Sequence, residues 1–210
     1  MSATLENLNW RYATKKFDAS KKVSQQDLET ILKAIQLSPS SYGLQPYHIL
    51  VVTDEETRKA LQPVSWNQSQ VVNASHLLVF AVNSEFGDEL IDDYLKNVTD
   101  TRGVDPANLK GYGDFMKSKL LDLPNEVKAA WTARQAYLAL ESAMIAAAEL
   151  NIDTCPMEGL EPEKYDEILG LSDKGLTTVV ALPIGYRSEE DDTQNYPKVR
   201  KSNEELFTHI

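Results

Sequence analysis

Residues that could do chemistry fall in four short segments of this chain. In residues 37–48, two prolines restrict φ, one glycine permits positive φ, and three serines and a glutamine offer hydrogen-bonding groups. Basic residues cluster at residues 11–16 and again at 198–201, and a Pro-Met-Glu-Gly turn occupies residues 156–159. A stiff loop of small side chains lets a planar ligand come close, and a basic cluster in an acidic chain favours an anion. Their combination favours a ligand site over plain connections.

Each segment also has an ordinary structural interpretation. Residues 37–48 can be a helix-to-strand connection, residues 11–16 a solvated basic helix end, and residues 156–159 a helix-to-helix turn. Asn67 and Gln70 are three residues apart, so on a helix they would share a face and could offer donors and acceptors to one ligand edge. Alone, that pair is a weak signal.

The histidines, the cysteine and the acidic run predict no chemistry of their own. His48 and His76 each open an apolar strand, where a hydrogen-bonded imidazole is more common than a metal ligand. Cys155 has no partner for an internal disulfide and is expected to pack as a small apolar side chain. The acidic run at residues 189–192 is expected to be solvated surface. The sequence has no zinc-type spacing of Cys and His, so no metal is implied.

Length and composition indicate a single domain over residues 1–210, because 42% of the residues are hydrophobic and no linker divides the chain. The formal charge of -11 disfavours nucleic acid and anionic membrane, since both need a basic face. No apolar run reaches the roughly 18 residues of a membrane span, and the first residues lack a secretory pattern. We therefore expect a cytoplasmic protein without a nucleic-acid or membrane partner.

Hydrophobic periodicity predicts the elements that position these segments. Leucines at helical spacing predict a helix over residues 4–12, and a second helix follows the N-cap Ser24 with Asp27 at its third position. Short apolar runs predict three buried strands, at residues 47–52, 75–82 and 177–184.

The second half of the chain is dominated by predicted helix. Residues 125–150 are apolar around most of a helix circumference, which predicts a core helix whose alanines would also suit a subunit interface. Residues 88–121 predict weakly amphipathic, mobile helix, with Asp105 and Pro106 as a cap and a break at residues 111–113.

The order and spacing of these segments resemble the nitroreductase and flavin reductase family of FMN enzymes, closest to its oxygen-insensitive NAD(P)H nitroreductase and dihydropteridine reductase branch. The resemblance covers nearly the whole chain and rests on the joint order of its parts. The residues that carry it are Arg11, Thr14 and Lys15; Pro39, Ser40 and Ser41 with Gln45 and Pro46; Asn67; residues 74–76; Gln135; residues 156–159; and Lys198, Val199 and Arg200.

The resemblance implies an α+β fold with a mixed central sheet flanked by helices, a long buried core helix and an intertwined homodimer. It also implies one FMN at each end of the dimer interface, built by both subunits. In one subunit, the phosphate would be held by Arg11, Lys198 and Arg200, supported by the turn around Ala13. The rest of the cofactor would meet Tyr12, Lys15, Asn67, Gln70, Pro156, Met157, Glu158 and Gly159. The other subunit would contribute Pro39, Ser40, Ser41, Gly43 and Gln135.

Within that site, Lys15 would approach flavin N1 and O2, and Asn67 would approach N3 and O4. The backbone amides of Glu158 and Gly159 would approach N5 and O4. Two departures concern the electronics of the flavin. Ala13 stands where related enzymes often offer a serine, and Gln70 stands where close relatives carry a second lysine.

The implied chemistry is hydride transfer from NAD(P)H to flavin N5, followed by ping-pong reduction of a flat, electron-poor acceptor such as a nitroaromatic or a quinone. No acid or base residue is required. Tyr42, Tyr112 and Phe115 are the candidates for the substrate pocket. Two alternatives stay open: a reductase of another substrate, such as free flavin, a pterin, an enone or a haloaromatic, and a flavin-binding redox module that turns over poorly.

Overall fold

Four strands form one sheet, and helices cover both of its faces. The computed structural model describes residues 2–83 and 85–210. The strands are β1 (Tyr47–Val52), β2 (His76–Asn83), β3 (Asp153–Thr154) and β4 (Leu176–Gly185), in the spatial order β1-β2-β4-β3. The helices are α1 (Ala3–Trp10), α2 (Gln25–Leu37), α3 (Glu55–Leu61), α4 (Gln70–Asn73), α5 (Asp88–Arg102), α6 (Lys110–Leu120), α7 (Asn125–Glu149), α8 (Pro162–Leu169) and α9 (Asn203–Leu206).

Central strand β2 divides the core into two layers because successive side chains of a strand point to opposite faces. Leu78, Phe80 and Val82 pack with α2 and α7 on one face. Leu77 and Val79 pack on the other face with side chains of α3, α4 and α8. The second layer also includes Met157, with Ala13 packed against it, so it connects the segment after α1 to the turn at residues 156–159.

The α+β class is confirmed, while the sheet is less mixed than expected. All paired strands within the described residues run antiparallel, for example Tyr47 opposite Val82. Parallel pairing is limited to the isolated bridge between Ala13 and Thr154. An apolar run in the sequence indicates that a strand is buried, but it does not indicate whether the strand runs parallel or antiparallel to its neighbours.

Most predicted elements are confirmed to within two residues. Strand β1 has the predicted bounds, and the Ser24 hydroxyl accepts a hydrogen bond from the Asp27 N–H at the start of α2. The Asp105 carboxylate caps the short 3-10 helix Pro106–Leu109. Strand β3 and helix α9 were not predicted, since each is too short to show periodicity.

The predicted helix break at residues 111–113 is wrong. Helix α6 runs through it, and the break occurs at Gly103, whose positive φ of 63° ends α5. Gly113 serves close packing instead, because a Cβ there would lie 2.6 Å from Leu95 Cδ1. A glycine in the sequence does not reveal which of these two roles it has.

Helix α7 is the long core helix that was predicted, but it is not buried on all sides. Its small side chains Ala136, Ala139 and Ala143 are fully buried. In contrast, Tyr137 and Leu138 remain 37% and 46% exposed. Helix α7 therefore leaves an apolar strip on the surface of a single chain. No helix within the described residues is long and apolar enough to cross a membrane.

Candidate functional site

Three cations from opposite ends of the chain meet beside the end of α1. Arg11 follows the helix, and the Lys198 ammonium donates a hydrogen bond to the Arg11 carbonyl. The Arg11 Nε is buried and has no hydrogen-bond partner within the described residues. A buried donor without a partner is costly, so this N–H group is poised for an acceptor.

The cationic groups at this corner also disfavour one another's charge. Burial lowers the pKa of Arg11 and repulsion from Arg200 adds to the effect, while attraction from Glu141 opposes it. Burial likewise lowers the pKa of Lys198, with repulsion from Arg11 and Arg200. A bound anion would relieve both effects, since an opposite charge favours the charged form of each group.

The segment that follows Arg11 is fixed to the sheet and to a loop near the end of the chain. Ala13 pairs with Thr154, and the Thr14 N–H donates to the Thr154 carbonyl at 3.2 Å. The Tyr12 hydroxyl donates to the Asp191 carboxylate at 3.0 Å. Burial and that contact raise the pKa of Tyr12 to about 12. The side chain of Lys15 stays exposed.

Asn67 lies in a tight turn against the predicted Pro-Met-Glu-Gly segment. Trp66 and Asn67 both have positive φ, at 54° and 57°, and the Gln68 amide donates to the Gly159 carbonyl at 3.0 Å. A Cβ at position 159 would lie 2.8 Å from the Trp66 ring, so this close approach requires glycine. The two segments form one continuous surface.

Gln70 is buried rather than open to solvent, with 5% of its surface exposed. Its side chain lies beside the Cys155 thiol, near Lys15 and Arg11. Burial raises the pKa of Cys155 despite these three neighbours. Cys155 packs in the core as expected.

The turn at residues 156–159 offers backbone donors. Met157 N–H and carbonyl both pair with Ala181, at 2.8 and 3.1 Å, and its side chain is buried. Met157 therefore fixes the turn. Within the described residues, the N–H groups of Glu158 and Gly159 have no backbone acceptor. The Glu158 carboxylate accepts a hydrogen bond from Tyr137 at 2.5 Å, and burial together with Glu158 raises the pKa of Tyr137.

The loop at residues 37–48 meets a different part of α7. The Ser41 N–H donates to Gln135 Oε1 at 2.8 Å, and the Gln135 amide donates to the Trp131 carbonyl at 3.0 Å. Ser40 accepts from the Gly43 N–H at 2.9 Å, while Pro39 is exposed. These bonds hold the loop, whose middle forms the short 3-10 helix Ser41–Gly43.

The three predicted substrate residues lie together, with Tyr42 in this loop and Tyr112 and Phe115 on α6 beside it. The rings of Tyr42 and Phe115 meet edge to face with centroids 6.5 Å apart. Burial raises the pKa of Tyr112, with Tyr94 and Tyr42 close enough to contribute. Tyr112 and Phe115 are 41% and 48% exposed. They form an aromatic wall that is open on one side.

The predicted site residues thus form two groups in one chain. We name them the basic half-site (Arg11, Tyr12, Ala13, Lys15, Asn67, Gln70, residues 156–159, Lys198 and Arg200) and the loop half-site (Pro39, Ser40, Ser41, Tyr42, Gly43, Tyr112, Phe115 and Gln135). Tyr137 hydrogen-bonds with Glu158 of the first group, and Gln135 hydrogen-bonds with Ser41 of the second. Residues two positions apart in a helix differ by about 200° around its axis, so the two half-sites contact opposite faces of α7.

The sequence did not indicate a role for three residues that shape the basic half-site, which are Asp153, Arg187 and Asp191. Asp191 is buried although it lies in the acidic run that we expected to be solvated. Asp153 forms an ion pair with Arg187, in which Asp153 Oδ1 and Arg187 Nη2 are 2.5 Å apart. None of the three stands in a motif, and only a three-dimensional contact distinguishes them from surface charges.

Comparisons with known proteins agree on one family. The model of the nitroreductase family matches residues 8–186. The chain is 36% identical to the major NAD(P)H-flavin oxidoreductase of Aliivibrio fischeri, covering 97% of both chains. It is 31% identical to the oxygen-insensitive NAD(P)H nitroreductase of Salmonella typhimurium, covering 95% of this chain and 96% of the other. A protein from Exiguobacterium sibiricum, described as a nitroreductase and solved in complex with FMN, superimposes with a TM-score of 0.84 at 22% identity, covering 100% and 98% of the two chains.

Proposed function

This chain belongs to the nitroreductase family, and on that premise we propose that it is an FMN-dependent NAD(P)H oxidoreductase. Relatives that match along nearly the full chain are named as NAD(P)H-flavin oxidoreductase and NAD(P)H nitroreductase, which supports the same reaction type here. The acceptors that we propose are nitroaromatics, quinones and related flat, electron-poor molecules.

The observation that carries this proposal is the buried Arg11 Nε, which lies beside Lys198 and Arg200 and has no hydrogen-bond partner in the part of the chain that the structure describes. A phosphate would supply the missing acceptor and would favour the charged forms of all three side chains. The residues present therefore fit the phosphate end of FMN. Tyr12 and Ala13 would border that end.

The rest of the basic half-site would hold the flavin ring. Lys15 would lie near N1 and O2, and Asn67 near N3 and O4. Residues 156–159 would pass along the ring and present to N5 and O4 the N–H groups of Glu158 and Gly159, for which the described residues supply no backbone acceptor. Gln70 would approach from the side of Cys155.

When bound, FMN would supply the redox chemistry by taking hydride from NAD(P)H and passing electrons to the acceptor. The protein's part is to bind and orient the ring and to tune its charge. Lys15 would favour negative charge at N1 and O2, and the N–H groups of Glu158 and Gly159 would stabilise electron density at N5 and O4. Tyr137 would hold Glu158 in place through its 2.5 Å hydrogen bond. No acid or base side chain is assigned.

The two half-sites support a homodimer in which each active site is shared. Because Gln135 and Tyr137 contact opposite faces of α7, the loop half-site would complete the basic half-site of a second copy of this chain. The exposed apolar strip of α7 and the exposed Val199, Leu206 and Phe207 offer surface for that assembly. The aromatic wall of Tyr42, Tyr112 and Phe115 would then border the acceptor. A cytoplasmic location is part of the proposal, because the reaction draws on the NAD(P)H pool.

Anaerobic addition of NADH or NADPH to the purified FMN-bound protein tests the proposal. We expect rapid loss of the oxidised-flavin absorbance with at least one nucleotide, and its return when a nitroaromatic or a quinone is added. Persistent oxidised flavin with both nucleotides would instead indicate a flavin-binding module. Comparing rates with free flavin, a pterin, an enone and a haloaromatic then identifies the acceptor class.

A further inference from the structure

Asp191 is a buried carboxylate that collects hydrogen bonds from the segment after α1. It is 1% exposed. Its Oδ2 accepts from the Lys15 N–H at 2.7 Å, the Lys16 N–H at 3.1 Å and the Tyr12 hydroxyl at 3.0 Å. Its Oδ1 accepts from the N–H of Thr193 at 3.1 Å and from the Thr193 hydroxyl. Each carboxylate oxygen of Asp191 thus accepts at least two hydrogen bonds, and every partner is a donor.

We propose that Asp191 is a positioning residue that sets where the Lys15 ammonium lies against the flavin. The proposal rests on the proposed function, in which Lys15 lies near N1 and O2. Asp191 would not touch FMN. It would act by fixing the backbone from which the Lys15 side chain extends.

The start of the same segment has a further anchor besides the bond from Tyr12 to Asp191. The Arg187 guanidinium lies over the rings of Trp10 and Tyr12, at 4.3 and 4.6 Å, and it pairs with Asp153. Arg187 and Asp153 therefore hold the segment up to Tyr12. Beyond that point, the Thr14 N–H donates to Thr154 and the Lys16 carbonyl accepts from the Ser188 N–H at 2.9 Å. Between these anchors Asp191 is the acceptor for the Lys15 and Lys16 N–H groups, so its loss would loosen the backbone at Lys15.

An ionised aspartate suits this position better than any neutral isostere. Burial disfavours the charge, yet hydrogen bonds from Thr193, Lys16, Lys15 and Tyr12 lower the pKa of Asp191. An asparagine has one carbonyl oxygen, so its NH2 group would face either the donors at Lys15 and Lys16 or those at Thr193. One set of donors would lose its acceptor in either orientation.

The position of the Lys15 charge matters because Coulomb energy falls with distance from N1 and O2. A movement of Lys15 away from the ring would weaken FMN binding after reduction more than before it, since reduction adds negative charge there. The midpoint potential of the bound flavin therefore depends on the placement of Lys15. The melting temperature alone would not reveal that placement.

The test is Asp191→Asn, measured by spectroelectrochemical titration with FMN fully bound, beside the matched control Asp192→Asn. Asp192 is the exposed neighbour and loses the same charge. We expect Asp191→Asn to lower the preference for reduced over oxidised FMN by about tenfold, a drop of about 30 mV in midpoint potential. The control should stay at the wild-type value.

A double-mutant cycle with Lys15→Met tests whether Asp191 changes the midpoint potential through Lys15. In the Lys15→Met background, Asp191→Asn should cause no further change in potential, because the charge that it positions is gone. An additional tenfold drop there would overturn the proposal. So would an unchanged potential in Asp191→Asn with a lower melting temperature, which would mark Asp191 as merely structural.

If Asp191→Asn does not fold, Thr193→Ala gives a milder test. It removes only the hydroxyl bond to Oδ1, and we expect a smaller drop in the same direction. No drop would overturn the proposal. Failure of the proposed function is separate, because the wild-type protein itself would then bind no FMN or show no reduction by NAD(P)H.

Discussion

Gln135 and Tyr137 are two residues apart in α7, yet Gln135 accepts a hydrogen bond from the Ser41 N–H at 2.8 Å while Tyr137 donates to Glu158 at 2.5 Å. The helix therefore stands between the two groups of residues that the sequence assigns to one flavin. A second copy of the chain is the simplest way to bring the groups together.

Dilution should release FMN as the monomer appears. Ligand that binds only the dimer stabilises it, so flavin content and assembly must be linked. Light scattering combined with flavin absorbance over a dilution series measures both quantities. A monomer that keeps its full flavin content would contradict the shared site.

Replacement of Arg200 by alanine should weaken FMN binding by roughly tenfold to a hundredfold. A charge-assisted hydrogen bond is typically worth about 1.5 to 3 kcal/mol. Riboflavin lacks the phosphate and should bind as it does to the wild type. Exposed Lys201→Ala is the control for loss of a positive charge. Equal weakening of FMN and riboflavin by Arg200→Ala would mean that the residue does not bind the phosphate.

FMN binding should be accompanied by proton uptake at alkaline pH. Burial and repulsion from Arg11 and Arg200 lower the pKa of Lys198 in the free protein, and a bound phosphate would raise it again. Between the two pKa values Lys198 gains a proton on binding, so FMN affinity falls as pH rises through the lower value. Below that value Lys198 is charged in both states and contributes no pH dependence.

Calorimetry in two buffers of different ionisation enthalpy measures that uptake. We expect it for FMN, and we expect none for riboflavin or for the Lys198→Met variant. Proton uptake of the same size in Lys198→Met would assign it to another group.

Substitution of Gln70 by lysine should raise the two-electron midpoint potential by some tens of millivolts, where about 30 mV corresponds to 1.4 kcal/mol. A second cation near N1 and O2 would favour the reduced flavin. Because Gln70 is buried beside Cys155, Lys15 and Arg11, the variant should also lower the melting temperature of the FMN-free protein. Gln70→Met separates the loss of the amide from the gain of charge. An unchanged potential would show that residue 70 faces the protein interior.

The elements that carry the site could be predicted because their signals are local. Strand β1 is an apolar, β-branched run between Pro46 and the cap at Asp54, and α2 begins at a Ser24 cap that is visible in the sequence. Such signals depend on residues a few positions apart.

The basic half-site could be identified only in part, since its support is nonlocal. Asp191 lies in an acidic run whose composition indicates surface, and its partner Lys15 is 176 positions away. The Asp191 carboxylate is buried because its loop packs against the segment that contains Lys15 and Lys16. The same holds for Gln70, which is buried beside Cys155, a residue far from it in sequence.

Arg58 should be among the largest single contributors to stability outside the apolar core. It is 5% exposed, and its guanidinium donates to the carbonyls of Val71, Val72, Ala74 and Ser75 at the end of α4. These are carbonyls that a helix end leaves without intrahelical partners.

Arg58→Met should lower the free energy of unfolding by about 2 to 4 kcal/mol, because several buried acceptors lose their donor at once. A chain of this length loses about 2 to 4 °C in melting temperature for each kcal/mol. Arg58→Lys should recover part of the loss, since an ammonium can reach some of the carbonyls without the planar fork. Exposed Arg102→Met is the matched control and should change the melting temperature little. Since α4 begins at Gln70, Arg58→Met should also weaken FMN binding, and a variant with wild-type stability would show that water replaces the guanidinium without cost.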